Sequence, residues 1–160
     1  ADERGIRIVP EFDLPGHSTS WYIGYPEFSS GTGATFGGPY QIDRKWGRGS
    51  PVMNPIKEEV YQFLDVFFKE MSELFPDEYI HIGGDENNGL QWALNPEIQA
   101  FMRANALPTK EALQNYFNKR LSAIITKHGK KVMGWDEIFV EGVPKSIVIQ
   151  SWQGKEALYK

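Results

Sequence analysis

Tyr79-Ile80-His81-Ile82-Gly83-Gly84-Asp85-Glu86-Asn87 is the stretch whose reading decides the fold. A short run with little polar alternation is the pattern of a strand buried on both faces. Gly83 and Gly84 let the backbone turn where the strand ends and let a ligand approach it closely. Asp85 and Glu86 follow where the strand opens into a loop. Successive strand residues point to opposite faces, so two neighbouring acids share a task only where regular geometry has broken. The glycine pair supplies that break. Two acids side by side resist ionising together, so one keeps its proton to higher pH, as a general acid must. Taken alone, the pair also reads as a solvated Asp-Glu turn.

Upstream, residues 7–13 form a strand-like run ending in Asp13, although Pro10 is unusual within a strand. Leu14-Pro15-Gly16-His17 then turns away, so an acid and a histidine again stand at a strand's C-terminal end. Residues 18–54 show no periodicity; Trp21, Tyr22, Tyr25, Phe28, Phe36, Tyr40 and Trp46 alternate with glycines such as Gly47 and Gly49. A loop this long is usually functional or disordered, and its aromatics favour an ordered loop folded over one end of the domain. Asn54-Pro55 predicts the start of a helix that Pro76 stops, with Val60, Leu64, Phe67 and Met71 on its core face.

Downstream, Asn95 caps a short helix running to about Asn105, and Thr109 caps a longer one that Gly129 ends. Lys131-Val132-Met133-Gly134-Trp135-Asp136-Glu137 reads as a third strand and Ser146-Ile147-Val148-Ile149-Gln150-Ser151-Trp152 as a fourth. The link between them is short for a parallel crossover, so a tight crossover and a hairpin both remain open. The pattern is α/β, with polar or aromatic groups at every strand's C-terminal end. A (β/α) barrel builds its active site in that way. Open doubly wound sheets also bind ligands at strand ends, but no G-x-G-x-x-G fingerprint is present. A complete barrel needs eight strands and typically about 250 residues; four strands are expected here.

The chain has 160 residues, 41% hydrophobic and 14% aromatic, enough for one core and too few for two ordinary domains. Seventeen basic against twenty-one acidic residues give a net charge of -4, which argues against nucleic-acid partners. No run is long and apolar enough for a membrane-spanning helix, and no signal-peptide pattern is expected at the start. The absence of cysteine removes disulfides and thiolate metal sites. Five Trp, seven Tyr and ten Phe suit either a large core or a sugar-binding cleft.

Arg4-Gly5-Ile6-Arg7, Pro10-Glu11-Phe12-Asp13-Leu14-Pro15-Gly16-His17, His81-Ile82-Gly83-Gly84-Asp85-Glu86, Gly134-Trp135-Asp136-Glu137 and Gln150-Ser151-Trp152 stand in order along the whole chain. Together they resemble the β-N-acetylhexosaminidases of glycoside hydrolase family 20. Trp92 and Asn95-Pro96-Glu97-Ile98 resemble the animal-type branch. The resemblance implies retaining, substrate-assisted hydrolysis of terminal β-linked N-acetylglucosamine or N-acetylgalactosamine, an exception to the two-carboxylate scheme. By the same resemblance Glu86 is the general acid and base, and Asp85 holds the substrate's acetamido group. Trp135 and Trp152 are expected as pocket walls, with core packing as the plain alternative. His17 is expected in a relay near Glu86, with Asp13 as an orienting acid. His81, Asp136 and Glu137 are expected to be structural, and Trp92 to help shape the aglycone side.

No cofactor is implied. Asp13, His17, Asp85 and Glu86 carry suitable metal ligands, but the family pattern needs no metal. The implied partners are glycans ending in an N-acetylhexosamine, with no nucleic acid or membrane, in a secreted, periplasmic or lysosomal setting. The resemblance places residues 1–160 as one incomplete domain, about strands three to six of a (β/α)8 barrel. The family's remaining sugar-binding residues fall on the other strands. A half-barrel exposes sheet edges and apolar surface, so a homo-oligomer or the remainder of the barrel is expected as partner. The competing expectation is an inactive fragment or an amino-sugar-binding module.

Overall fold

The computed structural model describes residues 1–33, 37–42, 44, 51–140 and 142–154. Phe36, Trp46, Gly47 and Gly49 of the long loop lie outside the described residues. Three strands form one parallel sheet in the order β1 (Tyr79–His81), β2 (Lys131–Trp135), β3 (Val148–Gln150). Ile80 pairs with Val132, and Gly134 pairs with Ile149. The parallel β2–β3 pairing decides for a crossover and against a hairpin. The link carries a single 3-10 turn among the described residues, at Asp136–Ile138. Among the described residues the sheet is open and unclosed.

The expected first strand is largely absent, so three of the four predicted strands form. Only Glu11 bridges to His81, although the chain around it lies alongside β1. His81 N–H donates to Pro10 C=O at 2.9 Å, Phe12 N–H to His81 C=O at 2.9 Å, and Leu14 N–H to Ile82 C=O at 2.9 Å. Pro10 has no N–H to add to the ladder. Residues 7–9 run past the start of β1, where Arg7 forks onto Asp77 at 2.8 and 2.9 Å instead.

Two helices cover one face of the sheet, α2 (Glu58–Leu74) and α5 (Lys110–Lys127). Val60, Leu64 and Phe68 of the first meet Phe117, Leu121 and Ile125 of the second over Ile80, Ile82 and Val132. Burying each such side chain is worth about 1.5–3 kcal/mol relative to exposure, which makes this layer the main source of stability. Arg120 ties the pair by forking onto Glu58 while its guanidinium lies 3.5 Å from the Tyr61 ring centre.

The first of these helices starts later than Asn54-Pro55 predicts. Asn54 Oδ1 instead accepts the Ile56 N–H at 3.1 Å, closing a turn before the helix. The caps further along act as expected. Asn95 Oδ1 accepts from Glu97 and Ile98 N–H ahead of α4 (Pro96–Ala104), and Thr109 Oγ1 accepts from Ala112 N–H ahead of α5. Gly129 follows α5 with φ +77°. An extra short helix, α3 (Leu90–Leu94), follows the β1 loop.

The long loop begins with α1 (Trp21–Gly24) and a 3-10 turn at Pro26–Phe28. Its ends are pinned together where Ser30 N–H donates to Val52 C=O and Asn54 N–H to Phe28 C=O. Trp21, Tyr25 and Phe28 pack on Phe63 and Phe67 of α2 at centroid separations of 4.7 to 5.8 Å. These aromatics are therefore helix packing.

Candidate active site

Residues two apart on a strand share a face. Ile80 and Ile82 face the helices, which turns His81 the other way, and Trp135 packs on His81 with ring centroids 4.8 Å apart. Glu11 approaches the same spot, accepting from Trp135 Nε1 at 2.9 Å and lying 3.5 Å from His81 Nδ1. At the C-terminal ends of these strands a hollow of about 420 Å3 is lined by Glu11, Asp13, His17, Asp85, Glu86, Trp135 and Trp152. Asp13, His17, Asp85, Glu86, Trp135 and Trp152, the residues expected to hold and act on the sugar, all meet there. Glu11 is the member that sequence reasoning missed. Its spacing from Asp13 across one residue was the available signal, because it puts both acids on one face.

The turn that displays the acids takes positive φ at Gly83 (+66°), Gly84 (+94°) and Glu86 (+53°). For Glu86 that is a strained setting, of a kind that clusters at functional sites. His17, also left-handed at φ +48°, places Nε2 at 3.5 Å from Asp85 Oδ2 and 3.4 Å from Glu86 Oε2. One imidazole thus stands between the two acids.

Asp13 Oδ1 accepts the Gly84 N–H at 3.0 Å. Burial pushes the Asp13 carboxyl up to about 8, the Gly84 bond opposes this, and the neighbouring Asp85 adds to it. Asp13 therefore holds a proton at neutral pH, which avoids two adjacent buried negative charges. Asp85 Oδ1 is buried and meets no hydrogen-bond donor among the described residues. Ligand atoms of Asp13, His17 and Asp85 lie within 4.8 Å of one another. That spacing would suit a cation.

His81 is buried, and its Nδ1 accepts the Gly83 N–H at 3.0 Å, which leaves the proton of the neutral ring on Nε2. Burial lowers its pKa, opposed by the charges of Glu11 and Asp85. Its position agrees with the structural role expected for it. Asp136 Oδ2 accepts the N–H groups of Trp152 and Gln153, each at 2.8 Å. Glu137 accepts from Trp152 Nε1 at 3.2 Å and from Gln153 Nε2 at 2.8 Å. These two acids thus hold Trp152, as a supporting role requires. Trp92 is not at the hollow: it is 1% exposed in a second core with Ile98 and Leu113, its Nε1 donating to Met53 C=O. A tryptophan flanking a site motif is indistinguishable in sequence from one that fills a core.

Carboxylates and tryptophans gathered where parallel strands end are the layout of a (β/α)-barrel enzyme site. The chain belongs to glycosyl hydrolase family 20, whose catalytic-domain model matches residues 1–160, in agreement with the motif reading. Among solved structures it is similar to the chitobiase of Flavobacterium johnsoniae, at 44% identity and a TM-score of 0.89 over 96% of this chain and 23% of that one. It is also similar to the exo beta-N-acetylglucosaminidase of Vibrio harveyi in complex with N-acetylglucosamine, at 34% identity and a TM-score of 0.80, covering 99% and 24%. The beta-hexosaminidase of Porphyromonas gingivalis is 35% identical over 156 residues, 98% of this chain and 19% of that protein. The human beta-hexosaminidase subunit beta is 39% identical over 137 residues, 85% of this chain and 23% of its own length. The chain thus spans about a fifth to a quarter of the length of these relatives.

Proposed function

We propose that residues 1–160 supply the acid–base half of a β-N-acetylhexosaminidase active site, as about strands three to six of one incomplete barrel domain. The observation that carries this reading is the single hollow into which Asp85, Glu86, Trp135 and Trp152 all open. Glu86 protonates the glycosidic oxygen as the bond to the anomeric carbon breaks. The substrate's acetamido oxygen attacks that carbon, giving a cyclic oxazolinium. Asp85 accepts the acetamido N–H and offsets the positive charge that develops on it. Glu86, now ionised, takes a proton from water as the water opens the ring, so the product keeps its β configuration. His17, in reach of both acids, keeps their orientation. Trp135 and Trp152 confine the acetamide beside the carbon it attacks, a proximity effect.

The substrates on this reading are glycans with a terminal β-linked N-acetylglucosamine or N-acetylgalactosamine. The edge of β3, unpaired among the described residues, supports completion of the site by further strands, from a longer chain or a second copy. A second reading, an inactive fragment or amino-sugar-binding module, is favoured by the same open sheet. The test exchanges residues 1–160 for the matching segment of the Flavobacterium johnsoniae chitobiase and follows nitrophenol release from a β-N-acetylglucosaminide. Activity of the graft that vanishes in Glu86→Gln supports the enzyme reading. A graft that folds but releases nothing, or does so equally with Glu86→Gln, supports the second.

A further inference from the structure

Outside the hollow, the β1 loop is held from behind by one face of α5. Gln114 is 5% exposed and both ends of its amide are engaged. Its Nε2 donates to Gly84 C=O at 2.6 Å, and its Oε1 accepts from Asn87 Nδ2 at 3.2 Å. These two contacts fall on the residues immediately before and after Asp85-Glu86. Lys110, one helical turn earlier on the same face, donates from Nζ to Asn87 C=O at 2.8 Å. Asn87 Oδ1 accepts the Gly89 N–H at 2.9 Å, fixing the far side of the loop. Gly84 is part of the fit, since a Cβ there would run into Ile138.

We propose that Gln114 is a positioning residue which clamps both flanks of the Asp85-Glu86 pair and so sets where the two carboxylates point. The clamp rests on these contacts alone, while its catalytic consequence rests on the reading of Glu86 given above. An amide is the side chain the position requires, because it must donate to a carbonyl and accept from an amide at once. A hydrocarbon of the same length leaves both partners unsatisfied. A carboxylate still accepts from Asn87 but turns an unprotonated oxygen toward Gly84 C=O, and it recovers the donor only when protonated.

Two measurements test this. In the 160-residue chain, Gln114→Met is expected to speed amide exchange at Gly84 and Gly89 roughly tenfold each, the effect of the one buried hydrogen bond lost at each flank of the loop, with exchange in α2 unchanged. Equal exchange at Gly84 and Gly89 in variant and wild type overturns the clamp, whatever the activity. In the chitobiase graft, Gln114→Met is expected to lower kcat about 100-fold, as a small misplacement of catalytic groups does, with KM within twofold. Gln114→Glu is expected to recover kcat toward acid pH, where its carboxyl is protonated. Faster exchange with unchanged kcat, or a rise in KM alone, overturns the positioning role. An inactive wild-type graft counts against the function reading instead, and the exchange result still decides the clamp.

Discussion

The C-terminal ends of β1 and β3 open on the same hollow, yet one is held by close packing together with buried hydrogen bonds and the other by exposed hydrogen bonds. At the β1 end a Cβ on Gly83 would strike the Asp13 carboxylate and one on Gly84 would strike Ile138. At the β3 end Trp152 is 51% exposed, and a Cβ on Gly154 meets nothing within 4 Å among the described residues. Trp152 is oriented instead by Asp136 and Glu137. The difference separates two ways of placing a functional group. Asp85 and Glu86 follow two glycines whose surroundings leave no room for a side chain. One proposed wall of the sugar pocket hangs on exposed hydrogen bonds.

The largest expected contrast is between glycines. Gly83→Ala should lower stability by about 3 kcal/mol or more, from overpacking against Asp13 added to a strained φ of +66°. Gly154→Ala carries the backbone strain alone, about 1 kcal/mol. Thermal melts of the two variants that coincide would erase the contrast. The tryptophans come next. Trp135→Ala removes a ring packed on His81 and bonded to Glu11 and should cost about 2 kcal/mol, less than a fully buried tryptophan. Trp152→Ala should stay below about 1 kcal/mol, as exposed substitutions do. Urea unfolding that ranks the two the other way would move the rigid region to β3.

A smaller effect concerns Asp13. Folded, its carboxyl is pushed up to about 8; unfolded, it titrates at the ordinary aspartate value of 3.8. Between those values the folded chain holds a proton that the unfolded chain has released, so this group's contribution to stability falls as pH rises through that window. Below it the contribution is complete, and above it the loss is complete. Asp13→Asn should flatten that part of the stability–pH curve. An unchanged slope between pH 4 and 8 would mean that Asp13 is ionised beside Asp85.

Much of this arrangement was legible in the sequence because local chemistry wrote it there. Asn95, Thr109 and Gly129 mark helix ends through bonds within a few residues. The glycine pair and the acids after it mark the end of β1. What escaped depends on distant partners. Arg7 is committed to Asp77 rather than to a sheet neighbour, which no pattern within residues 7–13 reveals. Glu11 gains its place only when Trp135 arrives from β2. Gln114 looks like a polar surface position on a helix until Gly84 and Asn87 are brought against it. Trp92 was misplaced toward the aglycone because adjacency to a motif in the chain is not adjacency in space.

The central claim is that Glu86 donates the proton to the leaving sugar oxygen. Its most direct test is the rate of nitrophenol release from a β-N-acetylglucosaminide by the chitobiase graft carrying Glu86 or Glu86→Gln. The account predicts a loss of about 100- to 10,000-fold, the range for removing a general acid–base group, with the folded state intact. Equal rates from the two proteins would contradict it.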